Sequence, residues 1–191
     1  MKETRICIIG GGSRLWAIQF FKDLAYAKMT HGTVVLHDID HKAAVNNVSV
    51  GVQTFRVNES EGRFRFTCED NLEKALEGVD LVIISIEPGS IECRRGDLVL
   101  PEEYGILQSV GDTTGPGGIM RARRALPMFF SFAKAIEKVC PKAWVINYTN
   151  PMTLCTAALY KAFPGIKALG CCHEVFHTET FLAEKVAEWF G

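Results

Sequence analysis

The sequence predicts an α/β fold built on one doubly wound parallel sheet, and three observations predict it. Short apolar runs alternate with stretches of helical period along the whole chain, the pattern that gives strand–helix–strand crossovers. The first of these runs, in RICIIGGGS (Arg5–Ser13), breaks off in three glycines and leads into a helix-like stretch. Polar and glycine-rich motifs stand at the carboxyl ends of the predicted strands, where ligands bind in open parallel sheets.

The opening unit sets the geometry. Ile6, Cys7, Ile8 and Ile9 form the strand, and Leu15, Ile18, Phe21 and Leu24 are spaced to share one face of the following helix. Glycine carries no Cβ to obstruct a tight turn or hold a pyrophosphate away from the backbone, and a helix amino terminus offers N–H groups and positive dipole to phosphate. Gly10 and Gly12 fill the first two positions of G-x-G-x-x-G, and Leu15 stands at the third. TVVL (Thr33–Leu36) is the second strand, followed by His37 and Asp38. A carboxylate at that strand end suits the ribose hydroxyls of a dinucleotide. Asp40, the competing acid, reads as the cap of a helix beginning near Lys42. The unit is therefore Rossmann-like and expected to bind NAD; Asp38 would repel the extra phosphate of NADP. Gly10, Gly11, Gly12, Ser13, Asp38 and Asn147 are assigned to the cofactor.

Further along, Val45, Val48, Val52 and Phe55 are spaced for packing on the sheet. RFRFTC (Arg63–Cys68) alternates as an edge-like strand, with Phe64 and Phe66 on one face. Asp70 and Glu73 suggest a capping box for a short helix carrying Leu72, Ala75, Leu76 and Val79, ended by Gly78. Leu81–Ser85 is a buried parallel strand. The long, charged segment Ile86–Gly118 reads as a functional loop, with Arg94, Arg95, Asp97, Asp112 and GDTTGPGG (Gly111–Gly118) forming a site wall. Arg121, Arg123 and Arg124 follow on a helix that Pro127 should break or restart before it continues to Val139; two or three of these arginines read as solvated or paired with local acids. Ala143–Asn147 is the fifth strand, with Pro151 opening a helix capped by Asn150. Ile166–Gly170 is the sixth, followed by Cys171, Cys172, His173 and Glu174 and a helix over Thr178–Phe190. The order 3-2-1-4-5-6 would bring all these strand ends to one edge. There a Cys, His and Glu beside a nicotinamide could ligate a metal or move protons; Cys171 reads as a buried core thiol and Cys172 as the ligand.

Composition narrows the partners. The 191 residues suffice for one α/β domain, 1–191. A net charge of −1 gives no electrostatic footprint for nucleic acid or membrane, and no apolar run reaches membrane-spanning length. Seven cysteines, an odd number, suggest reduced thiols and a cytoplasmic protein.

GGGS (10–13), GDTTGPGG (111–118), NYTNP (147–151) and CCHEV (171–175) together, in this order, resemble glycoside hydrolase family 4. CHEV (Cys172–Val175) is similar to the subgroup acting on α-linked uronides, the LplD-type α-galacturonidases. The family is an NAD-dependent exception among glycosidases. The resemblance implies hydride removal from C3 of the sugar, easier proton loss from C2, elimination at C1 and water addition, with Mn²⁺ as Lewis acid. It implies Cys172 as a metal ligand, Arg94 and Asn150 as sugar contacts, Asp112 as an acidic active-site residue, and His173 where some subgroups carry an aspartate proton donor. Glu87-Pro-Gly-Ser90 lacks the arginine of phospho-sugar members, which favours an unphosphorylated uronide. Family members are longer, and their tyrosine base and second metal-binding histidine would lie beyond residue 191. The chain is accordingly expected to be an amino-terminal portion without the substrate domain, its exposed apolar surface favouring homo-oligomers. Two other readings remain: a lactate/malate-dehydrogenase-like oxidoreductase of 2-hydroxy acids, which would accumulate NADH, and a non-catalytic NAD-binding module.

Overall fold

A computed structural model describes residues 3–27, 30–108, 110–172 and 174–190. Strands β1 (Thr4–Ile9), β2 (Gly32–His37), β3 (Phe64–Cys68), β4 (Leu81–Ile84), β5 (Trp144–Asn147) and β6 (Lys167–Gly170) form one parallel sheet, ordered β3-β2-β1-β4-β5-β6 as the sequence predicts. Helices α1 (Trp16–Tyr26), α2 (His41–Val57), α3 (Leu72–Ala75), α4 (Ile91–Glu102), α5 (Gly115–Val139), α6 (Met152–Ala162) and α7 (Glu174–Phe190) connect and follow the strands.

The period-two geometry of the strands divides the core in two. Ile6, Ile8, Val34, Leu36 and Ile83 meet Phe20 and Phe21 of α1 and Phe55 of α2 on one face. Cys7, Ile9, Val35, Val82, Ile84 and Val145 meet Leu76, Phe129 and Ile136 of the α3–α5 side, and Leu159 of α6, on the other. Burial on both faces is why these strands read as continuous apolar runs.

The register aligns the strand ends. Ile9 pairs with both His37 and Ile84, Ile84 with Asn147, and Asn147 with Gly170. One line across the sheet thus puts Gly10, Asp38, Ser85, Tyr148 and Cys171 one residue past the same level. That row is the floor of the site.

Several local expectations are corrected. In α1 the buried residues are Ala17, Phe20, Phe21 and Ala25, while Leu15 is 72% exposed; in α2 they are Ala44, Asn47, Gly51 and Phe55, with Val45 and Val52 outside. Both helices approach the sheet through small residues, which an apolar count cannot see. Gly51 shows why: a Cβ there would come within 2.6 Å of the Phe66 ring. Asn71, not Asp70, caps α3, its side chain accepting from Lys74 N, whereas Asp40 caps α2 as expected, accepting from Ala43 N at 3.0 Å. The segment read as a loop holds α4 and the first turn of α5. Pro127 lies inside a continuous α5; Arg123 and Pro127 face solvent, so the carbonyl deprived of its donor can turn to water. Met152 begins α6 with Pro151 at its cap position, and α7 starts at Glu174 rather than Thr178. None of the described helices is long and apolar enough to cross a membrane.

Candidate functional site

The glycine turn is packed from three sides. A Cβ on Gly10, whose φ is +96°, would lie 1.9 Å from Ser85 O; one on Gly11 would lie 2.7 Å from Leu36 Cβ; one on Gly12 would lie 2.9 Å from both Ala43 Cβ and Asp38 Oδ2. Real Cβ atoms essentially never come this close to another heavy atom. The three glycines therefore let the turn nest between the ends of β2 and β4 and the start of α2.

Polar bonds then fix it. Gly10 N and Gly11 N donate to His37 O (2.9 and 3.0 Å), and Ser13 N donates to Gly10 O. Gly12 N donates to Asp38 Oδ2 at 2.9 Å, and Asp38 Oδ1 takes the N–H of Asp40 at 2.9 Å. The Ser13 hydroxyl, two residues before the cap position of α1, accepts from Leu15 N and Trp16 N at 3.4 and 3.1 Å. Asn47, inside α2 and 8% exposed, donates Nδ2 to Gly11 O and Ser13 O at 2.8 and 2.9 Å. It carries a role that sequence reasoning missed; a polar side chain in mid-helix is its one signal. The donors read as open to a phosphate, those of Gly10–Ser13 and the first residues of α1, are thus largely met within the chain. Each Asp38 oxygen accepts one N–H, and a carboxylate has about four lone-pair directions. The half-buried Asp38 can therefore still accept two ribose hydroxyls beside a turn bare of side chains, and this part of the site fits a dinucleotide.

Beyond β4 and β5 lies a second, charged cluster. Arg121 of α5 is 4% exposed; its Nε donates to Asn150 O at 2.9 Å, and its fork closes on the Glu87 carboxylate, with Nη2 to Oε2 at 3.2 Å. Arg94 of α4 approaches the same carboxylate at 3.6 Å with its side chain half in solvent. Asn150 Nδ2 donates to Asp112 Oδ2 at 3.2 Å, and Thr113 Oγ1 donates to Asp112 Oδ1 at 2.8 Å. Arg94, Asp112 and Asn150 are therefore joined through Glu87 and Arg121. Glu87 is not among the residues the sequence assigns to the site, and Arg121 is paired with an acid as that reading allowed, but buried and with a partner distant in sequence. The side chain of Asn150 turns to Asp112 instead of capping α6, and the Asn150–Pro151 peptide is cis. Behind this pair, Arg124 closes on Asp97, which is 7% exposed, with Nη1 to Oδ1 at 3.0 Å and Nε to Pro88 O at 2.9 Å.

Asn147 stands beneath the surface. It is 0% exposed; Nδ2 donates to Thr149 O (3.2 Å) and Thr156 Oγ1 (3.3 Å), and Oδ1 accepts from Thr149 N (2.8 Å). It shapes the turn after β5, and Thr149 Oγ1 then accepts from Ile86 N at 3.0 Å to tie that turn to β4. Tyr148 lies on Trp16 and Phe20, ring centroids 5.7 and 5.0 Å away. Burial, with the Cys171 thiol beside it, raises its pKa above the usual phenol value. Cys171 is half-buried against Tyr148, not a core thiol. Cys172 is also half-buried, and His173 lies outside the described residues. Among the described residues no three His, Cys, Asp or Glu side chains converge as a metal site. Cys172 alone does not make one for Mn²⁺, a hard ion that takes several oxygen or nitrogen ligands.

Sheet order, glycine turn and acidic second strand end define a Rossmann-like domain whose charged cluster flanks the switch point. The chain belongs to the family 4 glycosyl hydrolases, whose model matches residues 5–188. It is 50% identical over 191 residues to an α-galacturonidase of Bacillus subtilis, covering all of this chain and 42% of that protein. A crystal structure of the Bacillus subtilis protein lplD, described as a glucosidase, superposes with a TM-score of 0.91 at 51% identity over all of this chain and 43% of its own. A 6-phospho-β-glucosidase of Thermotoga maritima, solved with manganese, NAD⁺ and glucose-6-phosphate, gives a TM-score of 0.80 at 26% identity, covering 97% of this chain and 43% of that one. The chain thus spans less than half the length of these relatives.

Proposed function

We propose that residues 1–191 are the cofactor-binding part of a glycosidase that cleaves α-linked galacturonides with NAD and Mn²⁺. The observation that carries the reading is identity to an α-galacturonidase sustained at 50% over the entire chain. The 26% shared with the phospho-glucosidase reflects the common scaffold. Bound NAD would supply a hydride acceptor that is restored at the end of each turnover.

The chain's own residues orient the reactants. Asp38 takes the ribose hydroxyls, and the side-chain-free turn lets the phosphates approach the backbone. Asp112 holds Asn150 by its Nδ2, which leaves Asn150 Oδ1 to accept from a sugar hydroxyl. Arg94 keeps guanidinium donors free for the sugar, because Glu87 is committed first to Arg121. His173, next to Cys172 in sequence, is the proposed proton-transfer group. The described residues do not build the Mn²⁺ site by themselves. The free thiols suit a cytoplasmic enzyme of carbohydrate metabolism, and α7, none of whose residues is buried, is a surface suited to self-association.

The test is to assay the full-length enzyme carrying this sequence on α-galacturonides and α-glucuronides, with and without NAD⁺ and Mn²⁺. Galacturonide cleavage that stops when the nicotinamide is stripped, with no net NADH, supports the reading. Cleavage indifferent to NAD⁺ refutes it, and steady NADH production from a 2-hydroxy acid would favour a dehydrogenase.

A further inference from the structure

We propose that Glu87 and Arg121 are a positioning pair that sets the two sugar-contacting groups, Arg94 and Asn150, relative to each other. The inference rests on the glycosidase reading for what these groups hold, but the pair itself is defined by geometry. Four chain segments meet at it: the loop after β4 brings Glu87, α4 brings Arg94, α5 brings Arg121, and the turn after β5 brings Asn150. The Arg121 side chain is 5% exposed, so its charge has little water and depends on the Glu87 carboxylate. With its fork spent there, its remaining Nε reaches the Asn150 carbonyl at 2.9 Å. Guanidinium fixes five donors in one rigid plane, enough to serve a carboxylate and a carbonyl at once. Glu87, 43% exposed, carries Arg94 on its outer side at 3.6 Å. A shift at either member therefore moves both sugar contacts together, while the glycine turn, joined to neither, stays in place.

The experiment is a double-mutant cycle in the full-length enzyme. Arg121→Lys, Glu87→Gln and their combination are assayed on a chromogenic α-galacturonide, with Lys138→Gln, in the exposed ion pair to Glu73 at the far end of α5, as control. Each single variant is expected to lose about tenfold or more in kcat/KM. The loss falls on KM for the galacturonide as well as kcat, while KM for NAD⁺ holds within about twofold, and the double variant is no worse than the poorer single one. Lys138→Gln leaves kcat/KM unchanged. The proposal is overturned if the single losses multiply in the double variant. It is also overturned if kcat alone falls in proportion to the folded fraction, or if both KM values rise together. Should Arg121→Lys fail to accumulate folded, Glu87→Gln carries the same test. If the parent enzyme does not cleave the galacturonide, the glycosidase reading fails and amide exchange decides the pair. Faster exchange over 147–152 in the variants, with 10–13 unaltered, supports it; unaltered exchange over 147–152 overturns it.

Discussion

Asp38 holds the glycine turn and is proposed to take the ribose hydroxyls, and Asp38→Asn separates these roles from the capping role of its neighbour Asp40. Each Asp38 oxygen accepts a backbone N–H at 2.9 Å, from Gly12 and from Asp40. An asparagine keeps one acceptor and turns an NH₂ against the other donor. One charge-assisted bond is lost, worth about 1.5–3 kcal/mol, and half-exposure places the cost near the lower end, at about 1.5–2 kcal/mol. For a chain of this length that is a fall of about 3–8 °C in Tm. Nucleotide binding should suffer separately, because the proposed acceptor for the ribose hydroxyls loses its charge. NAD⁺ affinity should fall about 10–100-fold at about 1.4 kcal/mol per decade, and the preference over NADP⁺ should shrink as the repulsion of the 2′-phosphate disappears. Asp40→Asn is the control, since asparagine caps a helix as well as aspartate does; it should leave Tm and NAD⁺ affinity nearly unchanged. Thermal unfolding and nucleotide titration of the two variants decide the matter. Asp38→Asn binding NAD⁺ as tightly as the parent would refute the ribose assignment, and an unchanged Tm would refute its role in holding the turn.

Gly11→Ala places a Cβ 2.7 Å from Leu36 Cβ and 2.9 Å from Leu36 Cα; it should cost about 1–3 kcal/mol in urea unfolding, and a cost within error of zero would mean that the turn yields. Asn47→Ala strands two turn carbonyls and should cost about 2–3 kcal/mol with weakened NAD⁺ binding, which denaturation and titration together would show. The exposed Cys93 has its thiol pKa lowered by the Ser90 hydroxyl and the neighbouring backbone. Iodoacetamide near neutral pH should therefore label it before Cys7, Cys140 or Cys155, as peptide mapping would report. Burial pushes Cys7 and Cys155 from 9.0 up to about 12, and Cys140 up to about 11. Above pH about 9 the unfolded thiols ionise while the folded ones stay protonated, so stability is full below that pH and falls as pH rises toward 11–12. If replacing all three thiols by alanine leaves the alkaline fall undiminished, the drop has another origin.

How much of this was legible in the sequence depends on what each element buries. The sheet could be read because its strands bury continuous apolar runs, and Asp38 could be placed because β2 ends sharply before it. On the inward faces of α1 and α2, Phe21 and Phe55 could be read, but Ala17, Ala25, Ala44 and Gly51 could not, because they make contact by being small. Helix α4 escaped notice for another reason: its buried residues are Asp97 and Pro101, so it has no apolar stripe to betray it. The glycines of GDTTGPGG read as loop, yet a Cβ on Gly117 would lie 2.4 Å from Gly111 O and one on Gly118 2.5 Å from Thr113 O. They permit the first turn of α5 to press against the segment before it. Arg94, Asp112 and Asn150 can be proposed from the sequence one by one, while the partners joining them, Glu87 and Arg121, lie 34 residues apart and form no local motif.

These differences amount to a division of labour within one domain. Two apolar clusters, one on each face of the sheet, fix the strand ends along a single line, and stability resides mainly there. Above that line the connections are polar: Asn47 and Asp38 hold the glycine turn, and Glu87 and Arg121 hold the corner at Asn150. Such bonds are directional and contribute modestly to net stability, but leaving one partner unpaired is costly. Substitutions in the core should therefore lower Tm with binding intact in the molecules that remain folded. Substitutions in the polar layer should change binding more than their effect on Tm would suggest. The two halves of that layer share no hydrogen bond among the described residues, so nucleotide and sugar affinity should respond to separate sets of variants.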